Sequence, residues 1–429
     1  MRDLIITLVV FGAVPFVLMR PYIGIYLWSW LSYMNPHRFS WGFAYNMPFA
    51  AVVAVALLIG LFTSKEKNRL PMNAVTMTWV LFVFWITLST FISLDVDTAL
   101  IEWQRTLKIQ LVTLLTILLI VDQKRLIFLI WVIAGSIGFF GIKGGLFVLA
   151  TGGSHRVWGP PGTFIEGNNE LALALLMISP LFWFLRTQYS NKWVRLALLG
   201  AIVLCLLSVI SSYSRGAFLA AGAVMFMFWI KSKRKVLYGT GIVLLAVVVL
   251  TFMPDKYFDR IGTIQTYEQD GSAMGRINAW LFAFNLARDY PLSGGGFGAF
   301  NQNLFLKYAP EPENFHDAHS IYFEVLGEQG FIGLILFLLL WFLCYRTCNK
   351  IRKQVAGKKE LEWVSGLVSM CQISLVAYCA GGAFLGLAYF DLPYHIFSIV
   401  VVAQIILLKL EGSVEKENER LQTVSGRAT

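Results

Sequence analysis

Residues 319–345 read HSIYFEVLGEQGFIGLILFLLLWFLCY, an apolar run that begins where the one long polar stretch of the chain, residues 254–318, ends. A run of this length can cross a bilayer as an α-helix, which needs about 20 residues. Because lipid offers the backbone no hydrogen-bond partners, such a run must satisfy its own backbone as a helix. Similar runs recur along the chain, so the sequence predicts an all-α polytopic membrane protein.

The composition agrees with this fold class. Of the 429 residues, 57% are hydrophobic and 14% are charged, and the mean hydropathy is +0.66. Soluble domains carry about 25% charged residues. We expect the first apolar run to be an uncleaved membrane span, since it lacks a signal-peptide cleavage site. The apolar runs predict about 12 transmembrane helices, at residues 3–34 (broken at Arg20-Pro21), 46–63, 72–94, 101–121, 125–150, 168–186, 194–211, 214–230, 236–253, 319–345, 362–388 and 394–410.

Basic residues are concentrated in alternate connectors, which predicts the orientation. Those connectors hold 22 of the 35 lysines and arginines, and they are residues 64–71, 122–125, 186–195, 231–235, 346–361 and 409–429. By the positive-inside rule they lie in the cytoplasm. The other connectors then face the periplasm, among them residues 254–318 with five basic and eight acidic residues. The net charge of +10 is therefore a topology signal, and no nucleic-acid motif accompanies it.

This orientation divides the chain into four parts. Residues 1–253 carry transmembrane helices 1–9, and residues 254–318 form a periplasmic loop with short helices. Residues 319–410 carry the C-terminal transmembrane helices, and residues 411–429 form a cytoplasmic tail.

His319 lies at the junction of the polar stretch and the apolar run, followed by Ser320, nine residues, Gly330, two residues and Gly333. The two glycines would allow another helix to approach closely. A neutral imidazole accepts a proton near pH 7, which suits a general base. At helical spacing one face would hold His319, Tyr322, Phe323, Leu326, Gly330 and Gly333. We therefore predict that His319 is a base at the membrane surface, where an aqueous acceptor meets a lipid-borne donor.

Two arginines at the outer side are candidates for binding phosphate. Arg215 lies between two apolar runs, where it either snorkels to lipid headgroups or clamps a phosphate with its planar guanidinium. Arg276 opens an outer amphipathic helix over residues 275–288, which Tyr290-Pro291 ends. A cation is unfavourable at a helix N-terminus. Arg276 is therefore either simply solvated or part of an anion site with the exposed amides.

The outer connector 151–170 is rich in glycine and proline and carries Arg156, Trp158 and Asn169. Trp158 either stacks on a sugar ring or lies at the membrane interface. Two carboxylates inside the run after His319, Glu324 and Glu328, are either functional or solvated near the helix end.

No metal site or cofactor is predicted. His316, Asp317 and His319 are too sparse to specify a metal, and the five cysteines lie in or beside apolar runs. The glycine-rich residues 293–298 follow no predicted strand, which excludes a dinucleotide or P-loop motif. We expect them to form a flexible or tightly turned segment beside the site.

These patterns resemble the O-antigen ligase and polymerase superfamily of bacterial membrane glycosyltransferases. The resemblance covers about residues 150–335. It rests on the His319 frame, on Ser214-Arg215-Gly216-Ala217, on Gly275-Arg276-x3-Trp280 with residues 290–298, and on residues 156–171. Residues 20–38 resemble O-glycosylation ligases found near exosortase systems; some relatives are lipopolysaccharide ligases, and others are described as attaching glycans to proteins.

The resemblance implies a GT-C-like fold and a metal-independent, inverting transfer at the periplasmic face of the bacterial inner membrane. The donor would be a glycan on undecaprenyl pyrophosphate, and the acceptor a sugar hydroxyl on lipid A–core. His319 would deprotonate the acceptor, while Arg215 and Arg276 would hold the pyrophosphate. Looser candidates for substrate binding are Arg156, Trp158, Asn169, His316 and Asp391.

Three alternatives stay open. A protein O-oligosaccharyltransferase or an O-antigen polymerase would use the same donor and differ only in the acceptor. A polymerase would usually show arginine-rich loops, whereas the outer stretch 254–318 is net negative. A transporter of lipid-linked glycan would need charged residues deep in several spans, and the middles of the spans are nearly free of charge.

Overall fold

The structure is a computed structural model that describes residues 1–425 except Glu66, Ser154, Lys233, Tyr238 and residues 242–270. The described residues form fourteen α-helices and no strand. They are α1 (Arg2–Met19), α2 (Tyr22–Met34), α3 (Phe49–Thr63), α4 (Ala74–Phe91), α5 (Val96–Leu119), α6 (Gln123–Thr151), α7 (Asn168–Thr187), α8 (Lys192–Ile210), α9 (Arg215–Lys231), α10 (Gly271–Asp289), α11 (Gln302–Tyr308), α12 (Ile321–Gln354), α13 (Glu362–Gly382) and α14 (Asp391–Ser425).

The all-α membrane fold is confirmed. Eight of the described helices are long and apolar enough to cross a membrane, namely α1, α4, α6, α7, α8, α12, α13 and α14. The interruption predicted at Arg20-Pro21 separates α1 from α2. Most of the span predicted at residues 236–253 lies outside the described residues.

Short polar side chains start several helices at the positions where the chain leaves a connector. Each accepts a hydrogen bond from a first-turn amide, which would otherwise lack a partner. They are Asn73 for α4, Asp95 for α5, Asp122 for α6, Asn191 for α8, Ser214 for α9 and Asn301 for α11.

The helices α7 and α14 form the centre of the bundle. Their apolar windows are 78% and 89% buried, whereas that of α1 is 17% buried. α7 packs against α6, α8, α9 and α13. A helix that is apolar on all sides can be buried in this way without leaving polar groups unpaired.

The connectors gather at two opposite ends of the bundle. The end that holds residues 64–71, 122–125, 186–195, 346–361 and 409–412 is named the basic end. There Lys409 Nζ donates to Asn68 Oδ1 at 2.6 Å. The other end, named the loop end, holds residues 92–95, 152–167, 211–214, 271–320 and 383–390. There Leu94 N donates to the Gly295 carbonyl at 3.1 Å.

A break in α12 at Gly330 overturns part of the predicted helical face. Gly330 has φ 66° and ψ −169°, which is not helical, and the helix begins only at Ile321. His319 therefore precedes the helix, with φ 41°. The spacing predicted that His319 and Gly330 share one continuous helical face, and this prediction is wrong.

The glycine-rich loop, not another helix, fills the break. Three backbone hydrogen bonds of 2.8–2.9 Å cross it: Gly295 N to Gly327 O, Gly296 N to Glu328 O, and Phe331 N to Pro291 O. These bonds pair the backbone groups that the broken helix would leave unsatisfied in the membrane. The segment is thus tightly turned, one of the two alternatives expected.

Candidate active site

The helix α10 holds the segment that carries His319. Trp280 Nε1 donates to the carbonyl of Ala318 at 2.9 Å, and its ring stacks on Phe323 with centroids 5.0 Å apart. Two residues earlier, the Asn278 side chain donates to the carbonyls of Glu311 and Asn314 and accepts from Glu311 N. α10 therefore holds the segment before His319 at two places, residues 311–314 and Ala318.

Gly275 lets the same segment approach α10 closely. A Cβ atom on Gly275 would lie 2.5 Å from the His316 ring, which is less than van der Waals contact. His316 is half-buried and lies between Asn314 and His319 along the chain. Glycine at 275 thus has a packing role that leaves the neighbouring Arg276 close to the histidine segment.

The environment of His319 favours the neutral imidazole. The side chain is half-buried, and burial lowers the pKa of His319 below its ordinary value of 6.5. The Arg276 guanidinium lowers this pKa further, and His316 contributes in the same direction, while Asp317 opposes both. A lowered pKa means that the ring is unprotonated at pH 7 and can accept a proton.

Arg276 also reaches the first turn of α7. It interacts electrostatically with Glu170 there as well as with His319. One guanidinium thus connects α10, α7 and the histidine segment. The Arg276 guanidinium thus lies beside the His319 imidazole.

Gly216, which follows Arg215, and the backbone of His319 lie against the same segment, residues 383–390. Gly216, next to Arg215 in the first turn of α9, would place a Cβ atom 3.1 Å from Phe384 Cβ. A Cβ atom on Gly386 would lie 3.9 Å from His319 N. Both site residues are half-buried at the loop end.

The connector before α7 is attached to the turn that precedes Arg215. Ser211 Oγ donates to the His155 carbonyl at 2.7 Å, and Asn168 Nδ2 donates to the Ser212 carbonyl at 2.6 Å. Arg156 and Trp158 are exposed in this connector, with Trp158 at 60% exposure. Both lie at the rim of the loop end.

Asn169 and Asp391, two of the looser candidates, have structural partners. Asn169 Oδ1 accepts from the neighbouring Asn168 at 3.3 Å. Asp391 is 5% exposed at the start of α14 and accepts a hydrogen bond of 2.5 Å from Ser32 of α2. The visible role of Asp391 is to join α14 to α2.

The two carboxylates inside α12 each bind a backbone amide of a neighbouring loop. Glu324 accepts from Ala388 N at 3.0 Å, and Glu328 accepts from Gly298 N at 2.9 Å. They hold the segment 383–390 and the glycine-rich loop against the helix that follows His319. From these contacts we expect Glu324 and Glu328 to position the loops around the candidate site.

Sequence reasoning missed two residues of α5 beside this cluster. Glu102 interacts electrostatically with Glu324 and Glu328, and Arg105 lies 4.2 Å above the Phe164 ring. The sequence signal that could have identified them is the charged first half of α5. The same charges explain why α5 is not among the eight helices apolar enough to span a membrane.

Within the described part of the chain, no group of three or more His, Cys, Asp or Glu side chains is arranged to hold a metal ion. His316 and Asp317 have different neighbours: the His316 ring packs on Gly275, and the Asp317 carboxylate accepts a hydrogen bond from the amide of Ala318.

Comparison with known proteins matches two stretches of the chain to families. Residues 200–338, which include Arg215, Arg276 and His319, match a family described as O-antigen ligase. Residues 1–190 match a family of unknown function. An O-antigen polymerase of Salmonella muenchen is 23% identical over 319 residues, which cover 68% of this chain and 77% of that protein.

Proposed function

We propose that this chain is an O-antigen ligase of the O-antigen ligase and polymerase superfamily, which the family match over residues 200–338 supports. It is a multi-pass bacterial membrane protein with a glycosyltransferase-type activity on a lipid-linked glycan. In this proposal the donor is a glycan on undecaprenyl pyrophosphate, and the acceptor is a hydroxyl of a lipid A–core sugar. The loop end faces the periplasm, and the basic end faces the cytoplasm.

One observation carries the proposal: a half-buried His319 held neutral beside the Arg276 guanidinium. A base must be unprotonated before reaction, and a leaving pyrophosphate needs cations close to the bond that breaks. At the loop end, His319 follows the segment that α10 holds, and the Arg276 guanidinium of α10 lies beside it. Arg215, whose neighbour Gly216 packs against the segment 383–390, supplies a second guanidinium.

The proposed reaction is a single displacement. The acceptor hydroxyl gives its proton to the His319 imidazole as its oxygen attacks the anomeric carbon of the donor glycan. The new C–O bond forms on the face opposite the bond to phosphate, so the configuration inverts. The electron pair of the broken bond leaves on undecaprenyl pyrophosphate, whose added charge Arg215 and Arg276 stabilise.

Donor binding also improves the base. In the free site, the positive charge of Arg276 disfavours an imidazolium at His319. A bound pyrophosphate would neutralise that charge and add negative charge nearby, which favours the protonated form. His319 is thus neutral before the donor arrives and becomes a stronger proton acceptor once it is bound.

A second candidate is an O-antigen polymerase, favoured by one observation. The curated relative from Salmonella is described as a polymerase and aligns with 68% of this chain. A polymerase would use the same His319 and arginines but would take another lipid-linked glycan as the acceptor.

An acceptor-choice assay separates these functions. Purified protein receives undecaprenyl-pyrophosphate glycan with lipid A–core, with a second lipid-linked glycan alone, or with a candidate acceptor protein. A ligase gives glycan-extended lipid A–core, whereas a polymerase gives longer lipid-linked glycans without it. A shifted protein band identifies a protein O-oligosaccharyltransferase, and the absence of any covalent product despite donor binding refutes transfer.

A further inference from the structure

A pocket of about 650 Å³ lies at the basic end between α4, α12 and α14, away from the site described above. Arg346, Lys350 and Lys353 line it from α12. Asn73 and Gln404 form its polar wall, where Asn73 Nδ2 donates to Gln404 Oε1 at 3.0 Å. The pocket is therefore cationic on one side and able to hydrogen-bond on the other.

The three cations share one face of α12, and none of them has an anionic partner among the described side chains. Their spacing of four and then three residues places them one above the other along the helix. All three side chains are exposed, and no described carboxylate lies within ion-pair distance of them. Three like charges at this spacing repel each other, so an anion in the pocket would stabilise the arrangement.

The same face continues towards the middle of the membrane as an exposed apolar stripe. Going back along α12 from Arg346, the helical positions are Phe342, Leu339 and Ile335, which are 55%, 38% and 61% exposed. The Arg346 guanidinium lies 5.7 Å from the centre of the Phe342 ring, where cations and apolar surface meet. One helix face thus offers cations at the bilayer edge and apolar surface at bilayer depth.

We propose that this pocket binds the phosphate headgroup of an anionic phospholipid whose acyl chains lie along the Ile335–Phe342 stripe. Basic pockets between transmembrane helices at the cytoplasmic surface attract such headgroups. A free phosphate would contact the cations alone. A lipid uses both parts of the face.

A second basic pocket at the same end is less suited to this ligand. It is about 470 Å³ in volume and is lined by Arg20, Lys65 and Arg125. Arg125 already pairs with Asp122 at 3.0 Å and stacks on the Tyr22 ring at 4.0 Å. The charge of Arg125 is therefore compensated within the protein, unlike the charges of Arg346, Lys350 and Lys353 on α12.

The test measures lipid retention by the purified full-length protein, independently of its activity. Delipidated protein is titrated with phosphatidylglycerol, with phosphatidylcholine and with inorganic phosphate, and the bound molecules are counted by native mass spectrometry. The proposal expects specific retention of phosphatidylglycerol. Equal binding of phosphatidylcholine overturns it, and so does inorganic phosphate that displaces the lipid at comparable concentration.

A matched pair of triple variants locates the site. The variant Arg346→Gln, Lys350→Gln, Lys353→Gln should lose about 100-fold in affinity for phosphatidylglycerol, since each basic residue at an anionic surface contributes about fivefold. The control Arg352→Gln, Lys358→Gln, Lys359→Gln removes three charges from the same connector and should keep wild-type affinity. Equal loss in both variants would overturn the proposal.

Two single variants keep the proposal testable if the triple variant does not fold. Lys350→Gln should weaken retention about fivefold. Phe342→Ser should weaken retention of phosphatidylglycerol and leave binding of inorganic phosphate unchanged. Wild-type lipid retention in both single variants would refute the site.

Discussion

Replacing Gly330 with alanine should damage the loop end far more than an ordinary glycine-to-alanine change. The backbone at Gly330, with φ 66° and ψ −169°, lies in a region that only glycine adopts readily. Holding another residue there costs about 1–3 kcal/mol. This strain is present even if the surroundings could make room for the methyl group.

The surroundings cannot make room easily, because the nearest neighbour is backbone. An added Cβ would lie 2.2 Å from the carbonyl oxygen of Leu292 and 2.8 Å from Gly294 N. Retreat of this loop would break the bond from Phe331 N to Pro291 O, which is 2.9 Å long. A buried donor without a partner costs about 1–3 kcal/mol. Together the two effects predict a loss of about 2–6 kcal/mol in the free energy of unfolding.

The assay compares Gly330→Ala with Gly135→Ala by denaturant unfolding in one detergent, followed by tryptophan fluorescence. Gly135 is helical within α6 and has no neighbouring atom within 4 Å of an added Cβ. The control should be stabilised by about 0.5–1 kcal/mol. If Gly330→Ala unfolds at the same denaturant concentration as the control, the inserted-loop explanation of the helix break is wrong.

Three further predictions concern the site. Arg276→Gln removes a charge that lowers the pKa of His319, so the acidic limb of the pH profile of kcat/KM should move to higher pH. An unchanged profile would show that Arg276 does not affect the pKa of the base. Trp280→Phe keeps the stacking but leaves the buried Ala318 carbonyl without its donor, so kcat should fall by about 2–10-fold and the free energy of unfolding by about 1–3 kcal/mol. Unchanged kcat in the folded variant would show that the bond does not position the base. Arg215→Lys keeps the charge but loses the planar fork, so KM for the donor should rise, whereas wild-type kinetics would exclude a bidentate phosphate contact.

Much of the helical framework follows from the sequence because lipid imposes one solution on a long apolar run. The predicted spans at 72–94, 125–150 and 194–211 correspond to α4, α6 and α8 within a few residues. The outer helix ends at Asp289, before Pro291, as a proline without an amide hydrogen requires.

The break in α12 could not be read from the sequence. Gly330 and Gly333 fit a close helix–helix contact as well as a kink, and only the approach of the glycine-rich loop decides between them. The backbone hydrogen bonds from Gly295 and Gly296 join residues that are distant in the sequence, and no local sequence pattern predicts them.

The sequence proposes residue types for the candidate site but not their arrangement. Charge and membrane position marked Arg215, Arg276 and His319. The roles of Gly275 and Trp280 in holding the histidine segment appear only when α10 packs against it. Asp391 had the residue type of a site residue, yet its bond to Ser32 belongs to helix packing.

The most direct test of the central claim is the rate of glycan transfer by His319→Ala, measured beside the wild-type protein with donor binding followed in parallel. If His319 is the base, transfer should fall by about 10²–10⁴-fold while the affinity for undecaprenyl-pyrophosphate glycan stays within about twofold of wild type. Transfer at a rate near that of the wild type, with the donor still bound, would show that another group removes the proton.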